Sequence, residues 1–146
     1  MADIEIGIPE PQRKEVAEGL SRLLADTYTL YLSIHGFHWN VEGPMFQTLH
    51  DAFMTQYTEL WTALGFYAPA SYGKLVELTS IESPDGVPAA KDMIRIAKEG
   101  HEAVAKTARS IFEHAEKASD EVTVDLLTQR LTVHEKTAWM MRAMLG

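Results

Sequence analysis

The chain has 146 residues, 46% apolar and 23% charged, with mean hydropathy −0.14, enough for one buried core and too few for two ordinary domains, so residues 1–146 read as a single domain. Thirteen basic against 21 acidic residues leave a net charge of −8, the wrong sign for coating DNA, so DNA binding is not expected. No apolar run approaches the ~20 residues of a membrane span, and the opening MADIEIGIPEP lacks the basic and apolar regions of a signal peptide, so a cytoplasmic location is expected. Without cysteine there is no disulfide, no thiolate nucleophile and no Cys-ligated zinc or iron–sulfur site, and any metal chemistry falls to His, Asp and Glu.

Pro9 and Pro11 confine the first ten residues to an irregular lead-in. Leu20, Leu23, Leu24, Thr27, Tyr31, Ile34 and His38 then recur at spacings of three and four, which predicts a helix over about Pro11 to Asn40. Asn40-Val41-Glu42-Gly43-Pro44 breaks it, and Pro44 suits the first position of a second helix because its missing N–H would have had no partner there. That helix carries Phe46, Leu49, Phe53, Leu60 and Leu64, flanked by Met54, Tyr57 and Trp61, in a wide apolar arc that is expected to stop at Gly65. From Gly65 to Gly86 the periodicity dissolves into Pro, Ser and Gly, a long connection with room for one or two helical turns within Ser71 to Leu78.

A third long helix is predicted from near Pro88 to Ala118, with Val87, Ala90, Ile94, Ala97, His101, Val104, Ala108, Ile111 and Ala115 in three-four alternation. Ser119 and Asp120 are N-cap candidates for a fourth, whose seam is Val124, Leu127, Leu131, His134, Ala138, Met141 and Leu145. Two tight turns and one long crossover between the second and third long helices make this an all-α, ferritin-like four-helix bundle. The second helix, with about 21 residues, falls two to three turns short of its partners at 1.5 Å per residue.

Of the six histidines, His38 shares the core stripe of the first helix, and His50 lies just past the hairpin, so the two rings can meet. Two readings stand: interior imidazoles each hydrogen-bonded to a neighbour, or half of a His/carboxylate metal site with Asp51 and Glu42 nearby. His101 and His134 fall at similar heights on facing seams, where a buried polar pair fixing register is favoured over a second metal site because Glu102 and Glu135 point one position off the seam. His35 and His114 read as surface or rim residues. No phosphate-binding glycine loop, nucleophile elbow or nucleic-acid stripe is present in the sequence.

The segment His35-Gly36-Phe37-His38-Trp39-Asn40-Val41-Glu42-Gly43-Pro44-Met45-Phe46, continuing to Leu49-His50, closely resembles the Dps family of mini-ferritins. So do Gly100-His101-Glu102-Ala103-Val104 and Leu126-Leu127-Thr128-Gln129-Arg130 followed by His134-Glu135-Lys136-Thr137-Ala138-Trp139, and the likeness runs over nearly the whole chain. The resemblance implies a homo-oligomer, a hollow dodecamer, that oxidises ferrous iron with hydrogen peroxide or oxygen and stores the ferric product, with His38 and His50 matching two ligands of the ferroxidase site. It also implies an Asp and a Glu four residues later on the second helix, presented across a two-fold interface about fifteen and nineteen residues after His50, one turn apart so that both face the iron. Here Glu59-Leu60-Trp61-Thr62-Ala63 passes directly to Leu64-Gly65-Phe66, so about ten residues are missing, and the carboxylate pair with them.

Asp51 and Glu59 are the candidate substitutes. With the carboxylate pair gone, ferroxidase activity is expected to be weakened, because iron favours anionic oxygen ligands, and zinc becomes a candidate in iron's place. The alternative is an assembly or scaffold protein with a vestigial metal site, a natural or engineered deletion variant of altered oligomeric state. Asp3, Glu5 and Glu10 stand where DNA-binding members of the family carry a lysine-rich tail.

Overall fold

The computed structural model describes residues 6–62 and 72–146, and among them every regular element is a helix: α1 (Glu10–Asn40), α2 (Phe46–Thr62), α3 (Tyr72–Leu78), α4 (Ala90–Lys117) and α5 (Glu121–Leu145). α1 and α2 form one antiparallel hairpin, α4 and α5 the other, and α1 packs along α4 to join them. α3 lies against α1 within the crossover, inside the stretch expected to hold a short helix. Ser71, the stop expected at Gly65 and the junction at Ala63–Leu64 lie outside the described residues.

Leu30, Ile34, Leu49, Phe53, Leu60, Ile94, Ile111 and Leu127, each 0–2% exposed, meet in one core shared by the four long helices. The predicted seam of α4 is buried from Ile94 to Ala115, whereas Val87, ahead of the helix, is 64% exposed. Two expectations for the second helix are corrected. It begins at Phe46 rather than Pro44, because Gly43 takes a positive φ of 97° and its carbonyl accepts from the Phe46 N–H, spending Pro44 and Met45 on a turn. Its apolar arc is also narrower, since Phe46 and Met54 face outward while Gln56 occupies the core.

The α4–α5 corner is closed from both sides. Ser119 adopts a left-handed φ of 52°, its N–H bonds Glu116 O and the next N–H bonds Ala115 O, the two bonds that end a helix on a left-handed residue. Asp120, one of the two predicted caps, then accepts from the Thr123 N–H at 3.1 Å and opens α5.

α1 and α4 approach closely because glycine stands at two crossing points. A Cβ on Gly19 would lie 2.9 Å from Ile111 Cγ1, and one on Gly100 would collide with Leu30 Cδ1, the side chain of a residue 1% exposed. Gly100→Ala is therefore expected to destabilise the subunit by about 1–3 kcal/mol from overpacking, despite the better helix propensity of alanine. Urea midpoints at one protein concentration check this, and an unchanged or raised midpoint contradicts it.

The crossover is tied down by Asp26, a carboxylate 1% exposed among apolar neighbours on α1. It accepts from Thr79 Oγ1 (3.0 Å), the Ser80 N–H (2.5 Å) and Ser80 Oγ (3.0 Å) of the crossover, and from Thr107 Oγ1 (2.5 Å) of α4. Four donors compensate the desolvation of one carboxylate, and their convergence fixes where the polypeptide leaves α3.

Candidate metal centre

The last turns of α1 carry His38 and the first turns of α2 carry His50, with the Gly43 turn folding one over the other. Beneath them Phe37 and Phe53 pack at 5.7 Å between ring centres, and Val41 and Leu49 are buried, so the two helices are clamped at this end. The imidazoles stack at 3.8 Å with 26° between planes. His38 Nδ1 lies 2.9 Å from the His50 carbonyl oxygen, and His50 Nδ1 lies 3.0 Å from the His38 carbonyl oxygen. A carbonyl only accepts, so each Nδ1 carries the proton and donates it, which leaves each Nε2 with its lone pair. This reciprocal lock satisfies the interior-histidine reading and, equally, orients the two imidazoles as metal ligands are oriented by a bond to their second nitrogen.

An aromatic collar surrounds the pair. Phe46 stacks on His50 at 5.1 Å, Tyr57 meets His38 edge-on at 5.2 Å, and His35 stacks on Tyr57 at 4.2 Å. His35, expected at the surface or rim, is half-buried in this collar, because α2 covers that face of α1 with Tyr57. His114 is a rim residue, paired with Glu15 at 3.2 Å.

Asp51 and Glu59 are not brought to the histidines within one chain. Asp51 is exposed and accepts from Gln47 at 2.9 Å, one residue past His50 and so turned about 100° away around α2. Glu59 lies nine residues along, some ~13 Å at 1.5 Å per residue. There its charge acts on the half-buried Arg130 of α5, whose guanidinium is pulled down from its usual range first by burial, with Glu59 opposing. Among the described residues no group of three or more His, Cys, Asp or Glu is placed to hold a metal ion.

The second histidine pair does meet, as its register predicts. His101 and His134, 1% and 0% exposed, approach at 2.9 Å between Nδ1 atoms. Gln56 orders this network: its Nε2 donates to Met141 Sδ at 3.6 Å, so its Oε1 faces His101 Nε2 at 3.3 Å and accepts from it. His101 thus keeps its proton on Nε2, and His134 Nδ1 must donate to His101 Nδ1. His134 Nε2 is left as a buried lone pair with no partner among the described residues. Burial lowers the proton affinity of both rings, His101 well below the usual range, helped by His134, and His134 to about 3, helped by Arg130.

Glu102 and Glu135 do not join the pair. A hydrogen bond from Arg142, and secondarily Lys98, holds the Glu102 carboxyl below its usual range, and Glu135 is paired with Arg109. Gln56 was not legible as a site residue, since in sequence it is a lone polar residue inside an apolar arc.

The ferritin-like domain family matches residues 17–146. The DNA protection during starvation protein 2 of Bacillus anthracis is 34% identical, covering 91% of this chain and 98% of its own length. A low temperature-induced protein of Nostoc sp. is 31% identical over 160 aligned positions, more than the 146 residues of this chain, so that relative carries residues with no counterpart here. Among solved structures, Dps from Bacillus brevis is 30% identical with a TM-score of 0.86, covering 95% of this chain and all of its own. The Dps protein of Vibrio cholerae O1, described as a member of a broad superfamily of ferritin-like diiron-carboxylate proteins, is 26% identical with a TM-score of 0.91 over 100% of this chain and 98% of its own. With this bundle, this hairpin and this extent of matching over both chains, the protein belongs to the Dps family of ferritin-like proteins.

Proposed function

We propose that the chain is an iron-binding, iron-storing subunit of a Dps-type homo-oligomer whose His38–His50 pair accepts ferrous iron as substrate and oxidises it more slowly than a complete family site. The observation that carries this reading is the reciprocal Nδ1-to-carbonyl lock, which leaves each Nε2 as the ring nitrogen available to an ion. The rings stack with centres 3.8 Å apart and planes 26° apart, so both donor-bearing imidazoles stand together at one end of the hairpin. Two ferrous ions supply the two electrons that one hydrogen peroxide needs, with two protons, to become two waters.

The weakening follows from the donor set. Neither Asp51 nor Glu59 joins the imidazoles within one chain, and neutral nitrogens stabilise the ferric product less than anionic oxygens do. Binding is therefore retained while the driving force for oxidation falls, and zinc, which suits imidazole, competes with iron. The exposed Trp39, Phe46 and Met54 beside the site offer an apolar face to a second copy, whose carboxylates the family reading brings to the iron. Among the described residues no helix is long and apolar enough to cross a membrane, and the net charge of −8 disfavours DNA coating.

Size-exclusion chromatography with light scattering, before and after anaerobic Fe(II) and then hydrogen peroxide, with iron counted per subunit, tests the reading. The expected result is a closed oligomer that binds ferrous iron at the two imidazoles, oxidises it slowly and holds a mineral core. His38→Ala and His50→Ala are each expected to weaken ferrous binding about 10–100-fold. That no group of three or more His, Cys, Asp or Glu among the described residues is placed to hold a metal ion favours one other reading, an assembly protein with a vestigial site. Metal binding unaffected by both substitutions, in an intact oligomer with no iron core, decides for that reading.

A further inference from the structure

Phe46, His50 and Met54 follow one another at four-residue spacing on α2, and residues four apart on a helix lie one above the other, so the three share one stripe. Phe46 stacks on His50 at 5.1 Å, and Met54 stands one turn beyond His50 on the opposite side. Met54 is 44% exposed, and Met45, beside Phe46 in the turn, is 40% exposed. Met93 and Met141 are each 1% exposed in the core. The chain thus sets two thioethers in the open next to the candidate metal centre and keeps two others sealed from solvent.

A thioether is a group that hydrogen peroxide turns from apolar to polar. Its sulfur lone pair attacks one peroxide oxygen, and the S–O bond forms as the O–O bond breaks. The proton of the transferred hydroxyl passes to the departing one, which leaves as water. Sulfur gives up two electrons, peroxide takes them, and the step needs no iron. Met54 stands with Trp39 and Phe46, 70% and 45% exposed, on the face that a second copy covers in the proposed oligomer. Pairing therefore shields the sulfur, whereas in an unpaired subunit it is open to solvent. A sulfoxide formed before pairing has to carry an S=O dipole out of water and among apolar side chains.

We propose that Met54, with Met45 beside the same face, is a peroxide-modification site whose oxidation keeps an unpaired subunit out of the oligomer. The proposal rests on the reading of the Trp39–Phe46–Met54 face as a contact between copies, and not on the metal ligands.

Light scattering of the full-length, metal-free protein across a dilution series, before and after hydrogen peroxide, with peptide mass spectrometry of the methionines, tests it. In dilute protein Met54 and Met45 are expected to gain one oxygen each while Met93 and Met141 stay unmodified. The concentration at which the oligomer half-assembles is expected to rise about tenfold or more, and methionine sulfoxide reductase to bring it back. Met45→Leu/Met54→Leu, which keeps the apolar bulk without sulfur, is expected to assemble like the wild type before and after peroxide. This variant separates the face from Met140 of α5, which is 36% exposed. Oxidation of Met54 no faster than that of Met93 at every dilution overturns the modification site. Wild-type assembly of subunits carrying the Met54 sulfoxide, or equal loss of assembly in the leucine variant, overturns the block on pairing. Trp39→Lys/Met54→Lys, shown to be folded by circular dichroism, tests the face itself. Its failure to assemble upholds the face whatever the sulfoxide does, and its assembly at the wild-type concentration overturns both the face and the proposal.

Discussion

Lowering the pH from 7 to 3 is expected to remove about 5 kcal/mol of stability through His134 alone, the free energy of a three- to four-unit difference in proton affinity. The ordinary imidazole takes a proton near 6.5 and the folded His134 only near 3. Between those values the unfolded state binds more protons, so this contribution is fully present above pH 6.5 and is lost progressively as pH falls toward 3. The physical cause is that His134 is 0% exposed and faces His101, also held neutral, with the Arg130 cation one turn away on the same helix. The neighbour from α2, Gln56, is spent on His101 and Met141 and offers nothing to an imidazolium at His134.

Urea midpoints across this pH range, at one protein concentration, measure the effect. The informative comparison is with His101→Leu/His134→Leu, which deletes both groups. Its curve should be flatter below pH 6.5 than that of the wild type, whatever the carboxylates contribute to both. Removing both partners for apolar groups of similar size costs little at neutral pH, apart from the unpaired Gln56 Oε1. Parallel curves for the two proteins would show that the pair is not what acid attacks.

Asp26→Ala is expected to cost about 3–5 kcal/mol, since it removes the charged acceptor of four hydrogen bonds from two parts of the chain, the crossover and α4. For a domain of this size that corresponds to a fall in melting temperature of about 10 °C or more. Hydrogen exchange should show the N–H of Ser80 and its neighbours losing protection first, because that amide bonds directly to Asp26 Oδ1. Asp26→Asn, which keeps one acceptor while the hydroxyls of Ser80 and Thr107 rotate to suit the amide, should cost about 1–3 kcal/mol. Equal losses in the two variants would mean that the side chain's shape, not its acceptor oxygens, anchors the crossover.

The histidine pairs show how far a pattern of residues reaches. Helical periodicity put His38 on the core stripe and His50 one hairpin away, and it set His101 and His134 at matching heights, because an α-helix converts residue number into height and direction by fixed geometry. The hairpins, the crossover with its short helix and the Asp120 cap were legible for the same reason. Asp26, Gln56 and His35 were not legible, since each is a polar residue whose burial depends on partners distant in the chain. Asp26 is satisfied by residues 53, 54 and 81 positions away, and Gln56 by residues 45 and 85 away. Which nitrogen of each imidazole carries the proton was likewise beyond sequence, because it is decided by whether a carbonyl, an amide or a second ring stands opposite. Local repeat therefore determined the helices and which face each buries. The tertiary structure alone decided which buried polar atoms are satisfied and which lone pairs stay open to an ion, because a hydrogen bond is made only when packing brings donor and acceptor within about 3 Å.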